Sequence, residues 1–241
     1  MRKLALLGIV LLLIISALLA STMLSWAQPT GVDIDFNDTD IPVLDPASEI
    51  TTPGGSFTTL VLSGTFQTPR WKAYVGNITG GVTLTDTGGS TIYDWTLDTI
   101  SGQVYVSRNN SVDWGSIGCV SEQGIAAEQS FLNISDSSAD SINRTFNNSI
   151  HRGFFVGTTF IANSTCRAIA TYVDDTPQAP SEEATFQEIL LEDSSGNLVF
   201  TTILESAATG YDSSAYDFQL IVPENPIAVT PTTYYFYAEI S

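Results

Sequence analysis

Few residues in this chain have side chains able to do covalent or acid–base chemistry, and their spacing narrows what that chemistry is. Cys119 and Cys166 are the only cysteines. An isolated pair in an exported chain predicts one disulfide, with two buried free thiols as the alternative. Closing a loop of that length stabilises a fold by about 4 kcal/mol in the chain-entropy view. Asn-x-Ser/Thr triplets begin at Asn37, Asn77, Asn109, Asn133, Asn143, Asn147 and Asn163, seven of eleven asparagines. Ser and Thr fill about a quarter of the chain, so chance accounts for only two or three. The excess points to N-glycosylation. Four of the triplets lie between the two cysteines, in a segment that a disulfide would pin to the domain body.

Catalytic chemistry finds little to work with. A Ser-His-Asp triad would have to use His151, the single histidine, and no Gly-x-Ser-x-Gly turn accompanies it. His151 stands among Asn147, Asn148 and Arg152 and reads as part of an exposed turn. One histidine and two cysteines leave no ligand set for zinc or haem. Paired carboxylates for glycoside cleavage can be drawn from 26 acids, but nothing in their spacing selects a pair. The chain therefore reads as non-enzymatic, with no cofactor expected. Structural calcium is the one ion considered. Asp33-x-Asp35-x-Asn37 begins like a calcium loop, yet Asp38 replaces the glycine and Leu44 the final glutamate. Asp174-Asp175 and Glu182-Glu183 are further acidic pairs. Among the aromatics, Trp71, Trp95, Trp114, Tyr74 and Tyr93 would make a sugar-stacking platform if exposed, and core side chains if strand-borne.

Those residues must be carried by elements, and strand signals dominate. β-branched and aromatic runs recur between Gly, Asn and Asp at Phe57–Leu62, Trp71–Val75, Val82–Leu84, Thr91–Leu97, Gln103–Ser107, Gly153–Ile161, Ile169–Val173, Asn197–Leu204, Asp217–Val222 and Thr233–Ile240. Helical spacing is confined to Ile125–Leu132 and Glu182–Leu191. The prediction is an all-β fold: an antiparallel β-sandwich with Greek-key or jelly-roll-like connections. An internal echo aligns Leu84–Leu97 with Leu191–Leu204 without gaps, each placing Asp and then Gly in a turn before an aromatic-bearing strand. In the last strand, Tyr235, Tyr237 and Glu239 form the second face, expected to look outward.

Charge and the chain's beginning set the compartment. Eight basic residues against 26 acidic ones give a net charge of −18, the wrong sign for a nucleic-acid binder. Arg2 and Lys3 precede an apolar run from Leu4 to Ala20, and Ser25-Trp26-Ala27 reads as a signal peptidase site cut after Ala27. A retained anchor and a prepilin-type helix are the alternatives. Cleavage leaves six basic against 26 acidic residues, a net charge of −20, and no later segment able to cross a membrane. The chain divides into a signal peptide (1–27), an N-terminal extension (28–55) and a β-sandwich domain (56–241). In the extension Val32, Ile34 and Phe36 share one face of a short amphipathic strand, fenced by Pro29 and Gly31 before it and Pro42 and Pro46 after it. Such a strand needs a sheet edge, in its own domain or in a neighbouring subunit.

Taken together, the leader, the free N-terminal strand, the Thr- and Ser-rich β domain and the dense sequons resemble the secreted glycoprotein subunits of prokaryotic, especially archaeal, extracellular filaments. Trp71-Lys-Ala-Tyr-Val-Gly-Asn-Ile-Thr-Gly80 and Trp114-Gly-Ser-Ile-Gly-Cys119 are likewise similar to recurring surface-glycoprotein text. The resemblance implies a homopolymer joined by donor-strand complementation, with Val32, Ile34 and Phe36 entering the next subunit and N-linked glycans on the outside. A carbohydrate-binding adhesin is the second expectation.

Overall fold

The computed structural model describes residues 28–42, 46–64, 66–95 and 100–240. The signal segment 1–27 lies outside the described residues. Fifteen strands and two α-helices are assigned among them, besides a 3-10 turn at Trp114–Ser116: β1 (Thr30–Gly31), β2 (Trp71–Gly76), β3 (Val82–Thr85), β4 (Thr91–Trp95), β5 (Gly102–Ser107), β6 (Gly118–Cys119), α1 (Glu122–Phe131), α2 (Ile142–Thr145), β7 (Phe154–Val156), β8 (Thr159–Ile161), β9 (Ala168–Ala170), β10 (Gln187–Glu192), β11 (Leu198–Ile203), β12 (Ala208–Thr209), β13 (Ala215–Tyr216), β14 (Phe218–Pro223) and β15 (Tyr235–Ile240). The fold is all-β and every ladder is antiparallel.

A seven-stranded sheet organises the domain, in the order β1-β15-β5-β11-β10-β6, with β9 also paired to β10. Its strands are covered on both faces, and the side-chain alternation of a strand sorts the core in two. Val104, Val106, Leu190 and Phe200 pack with Leu220 and Val222 of β14, Ile125 of α1 and Phe146. On the opposite face Tyr105, Ile189, Leu191 and Val199 pack with Phe154, Val156, Ile161 and Cys166. The β2–β14 ladder is thus a second layer on the first face. Glu188 ties the layers together: its Oε2 accepts the backbone N–H of Ile221 in β14 at 2.9 Å. α1 begins at Ser121, whose hydroxyl accepts the Gly124 N–H. Its buried Glu128 takes a two-pronged ion pair from Arg108, which also lies over the Phe131 ring.

Four expectations are corrected. Glu182–Leu191 is not helical; its Ile189, Leu190 and Leu191 belong to β10, buried on both faces, so no amphipathic stripe exists. Phe57–Leu62 forms no strand and is unpaired and exposed. Gly153–Ile161 is a hairpin of β7 and β8, because Gly157 adopts a φ of 55° and turns the chain. The second face of β15 looks outward only at Tyr235: Tyr237 packs on Trp114, and Glu239 is buried against Tyr105 and the Gly157 N–H.

The chain forms two compact units. The described residues up to Val32, with those from Pro69 on, make one; Asp33–Thr68 make the other. The extension drawn at 28–55 thus begins in the β domain and ends short of Thr68.

Candidate functional site

Gln28–Val32 belongs to the sheet. Pro29 is buried, Thr30 and Gly31 pair with Ala238 and Tyr237 of β15, and the Val32 N–H reaches the Phe236 carbonyl at 3.3 Å. The ladder ends there, and no strand is assigned from Val32 onward in the extension. The expected strand Val32–Phe36 is therefore not formed in this structure. Ile34 is 61% exposed and Phe36 82%. Proline at the edge and a two-residue strand also blunt the β15 edge against further pairing.

The unit Asp33–Thr68 has neither helix nor strand among its described residues. Local hydrogen bonds join Ser56 to Pro53, in a turn where Gly55 has a φ of 80°, and Thr58 to Thr52. It contains no Lys or Arg. Phe57, Leu60, Val61, Leu62 and Phe66 are all exposed, from 53% to 95%. Monomeric proteins seldom display this much contiguous apolar side chain.

A second unpartnered element is the β3–β4 hairpin. Val82 faces Trp95 and Leu84 faces Tyr93, so these four side chains share one face, and all are exposed. The Tyr93 and Trp95 rings meet edge to face with centroids 5.0 Å apart. An isolated two-stranded hairpin in water is marginal; a third strand or a covering layer is what stabilises it.

Cys119 and Cys166 form a disulfide across 47 residues, chemistry of an oxidising compartment. No helix among the described residues is long and apolar enough to cross a membrane. His151 is not in an exposed turn but fully buried beside the disulfide. Its Nε2 accepts the N–H groups of Thr165 and Cys166 at 3.2 and 3.0 Å, while Nδ1 donates to the Arg152 carbonyl. That pattern needs the neutral ring, and burial lowers its pKa accordingly.

The sequons separate by exposure. Asn37, Asn77, Asn133, Asn147 and Asn163 are exposed, whereas Asn109 and Asn143 are half-buried. Asn109 Nδ2, the atom a glycan would need, donates to Asn197 Oδ1 at 2.7 Å; Asn143 Nδ2 donates to Asp136. Asn163 Nδ2 donates to Glu182, whose carboxylate pKa is lowered by the Asn163 and Ser164 side chains. A groove of about 400 Å³ beside α1 is lined by Glu122, Ile125, Gln129, Asp136 and Asn143. Its carboxylates are already engaged, Glu122 by Arg167 and Asp136 by Gln129 and Asn143.

Among the described residues no three or more His, Cys, Asp or Glu side chains gather as a metal site. The aromatics considered for a platform are not one surface. Trp71 packs on Phe146 and donates its indole N–H to Asp140, Tyr74 packs on Phe236, and Trp114 on Tyr105. Only Tyr93 and Trp95 of that set are exposed. A different pair, Tyr211 and Tyr216, is stacked on a loop where sequence reading placed nothing. Its signal was a Gly-Tyr-Asp-Ser-Ser hairpin turn with a tyrosine on the returning strand. Compared with protein-family models, curated proteins and solved structures, the chain matches none.

Proposed function

We propose that this chain is a secreted, N-glycosylated structural subunit that assembles by β-strand exchange into an extracellular filament or surface coat. One observation carries the reading: Ile34 and Phe36, whose alternation with polar residues suits a strand, stand exposed with no strand partner among the described residues. Burying two such side chains in a neighbour's sheet contributes about 1.5–3 kcal/mol each, before the ladder hydrogen bonds are counted. Head-to-tail exchange of this kind does not close, and an open repeat is a fibre. The apolar, cation-free unit Asp33–Thr68 and the uncovered β3–β4 hairpin are what a subunit shows before its neighbours arrive. Sugars on the exposed sequons and a net charge far from zero would keep the outer surface hydrated. The disulfide and the leader support export.

The test compares the chain from Gln28 to Ser241 with an Ile34→Asp/Phe36→Asp variant, using size-exclusion chromatography and negative-stain microscopy. Thr30 and Gly31 stay in place in both, so the domain keeps its own edge. Fibres from the first and monomers from the second are expected, with identical near-UV circular dichroism. Two equally monodisperse proteins, or two equally fibrous ones, would remove strand exchange through these residues as the mechanism.

A further inference from the structure

We propose that the loop cluster formed by Tyr172–Thr176 and Ala207–Tyr216 is a binding site for the pyranose ring of a neutral saccharide. This site is independent of the strand-exchange residues. Tyr211 and Tyr216 lie parallel within 11°, with ring centroids 6.2 Å apart, on the β12–β13 hairpin. Tyr211 and Tyr172 are each about half exposed, at 48% and 49%. Flat, exposed aromatic faces take the C–H face of a sugar ring, while polar groups at the rim read its hydroxyls. Asp174, Asp175 and Asp212 supply that rim. Asp212 accepts the Ser214 N–H and the Tyr216 hydroxyl, which hold it ionised and below the usual carboxylate range. Asp175 has no side-chain partner among the described residues. No Lys or Arg lies in either segment, so an anionic ligand is disfavoured.

The platform is also preorganised. Gln219 of β14, 2% exposed, spends its carboxamide holding the two segments: Oε1 accepts the Tyr211 N–H, and Nε2 donates to Thr171 Oγ1 and the Tyr172 carbonyl. The Asp175 N–H donates to the Tyr211 carbonyl at 2.7 Å, and the Asp174 N–H to that of Gly210 at 2.8 Å. The Tyr216 ring lies so close over Gly210 that an added Cβ would stand 2.3 Å from its Cδ2. Seven non-glycine residues have positive φ among the described residues, and Asp174, Asp175, Ala207 and Ser213 are four of them. Backbone held in that region costs free energy and concentrates at ligand sites. A rigid aromatic face loses little entropy on binding.

Saturation-transfer NMR on the mature chain tests this, with methyl pyranosides of glucose, galactose, mannose and N-acetylglucosamine as probes at millimolar concentration. At least one is expected to show transfer strongest at its ring C–H protons. Tyr211→Ala should weaken it by about tenfold, and Tyr211→Phe, which keeps the ring, should retain it. Tyr93→Ala on the distant-in-sequence hairpin should leave it unchanged. Transfer equal in wild type and Tyr211→Ala, or absent for every saccharide, overturns the proposal. A response to tetramethylammonium with none to any saccharide also overturns it, by making the cluster a cation site. Tyr211→Ala should still form whatever fibres the wild type forms, so failure of either reading is read separately.

Discussion

Glu188 offers the sharpest test of how this fold holds together. The residue is the second of β10, fully buried, with Thr202 directly across on β11. Desolvation raises its pKa well above 4.5, opposed only by the Ile221 N–H donated to Oε2. Oε1 and the neighbouring Thr202 hydroxyl have no protein partner. A raised carboxyl pKa means the native state keeps a proton that the unfolded chain gives up above its ordinary value. Stability is then full below about pH 4.5 and falls as pH rises, by about 1.4 kcal/mol per unit until the native group itself ionises. Glu188→Gln keeps the acceptor for Ile221 and removes the titration. It should match wild type near pH 4 and gain on it as pH rises, at a slope of up to about 1.4 kcal/mol per unit, each kcal/mol read as roughly 2–4 °C in melting temperature. Urea unfolding of both proteins from pH 4 to pH 8, disulfide intact, measures the difference. A difference that does not change with pH would refute the reasoning, as would a loss of stability on substitution at pH 7. Glu188→Ala, which leaves the Ile221 N–H unmet, should instead destabilise at every pH.

Three further outcomes are expected. Reducing the Cys119–Cys166 bridge, or replacing both residues by Ala, should cost about 4 kcal/mol for its 47-residue span, read as a lower urea midpoint. His151 has the opposite pH sign to Glu188: with its pKa lowered by burial, its contribution is lost as pH falls below about 6.5, and His151→Gln should flatten that acid limb. Glycopeptide mass spectrometry of the exported protein should find sugar at Asn37, Asn77, Asn133, Asn147 and Asn163, and bare asparagine at Asn109 and Asn143. Occupancy at Asn109 would show that modification precedes the Asn109–Asn197 contact.

Much of the fold was legible because turns and strand runs are local. Trp71–Val75, Gln103–Ser107, Asn197–Leu204, Asp217–Val222 and Thr233–Ile240 all correspond to strands within a residue or two. What failed was burial. A polar residue in the sequence counts as solvent-facing, yet Glu188, Glu239 and His151 are buried, each holding a backbone N–H or a neighbouring hydroxyl. Glu188 and Glu192 beside Ile189, Leu190 and Leu191 imitate helical spacing only if the acids are assumed to face water. The Tyr211–Tyr216 platform was missed for a related reason. Its two segments are 30 or more residues apart in sequence, and the buried Gln219 and two backbone hydrogen bonds that join them are invisible to local pattern.

The internal echo turns out to be the most informative local pattern. Asp86 and Asp193 build the same turn: each carboxylate accepts the N–H groups two and four residues on, and each carbonyl takes the N–H of a glycine with φ near 80°. The hairpins they close meet different fates. β10–β11 lies mid-sheet, with β5 on one side and β6 and β9 on the other. β3–β4 pairs with nothing else among the described residues, and its Val82, Leu84, Tyr93 and Trp95 face is bare. Turn chemistry cannot account for the difference, since it is the same in both. The flanking strands decide it: the buried hairpin receives its neighbours from its own chain, and the exposed one has an equivalent apolar face with no strand to receive. The same sheet-forming unit is thus built twice among the described residues and flanked by further strands once.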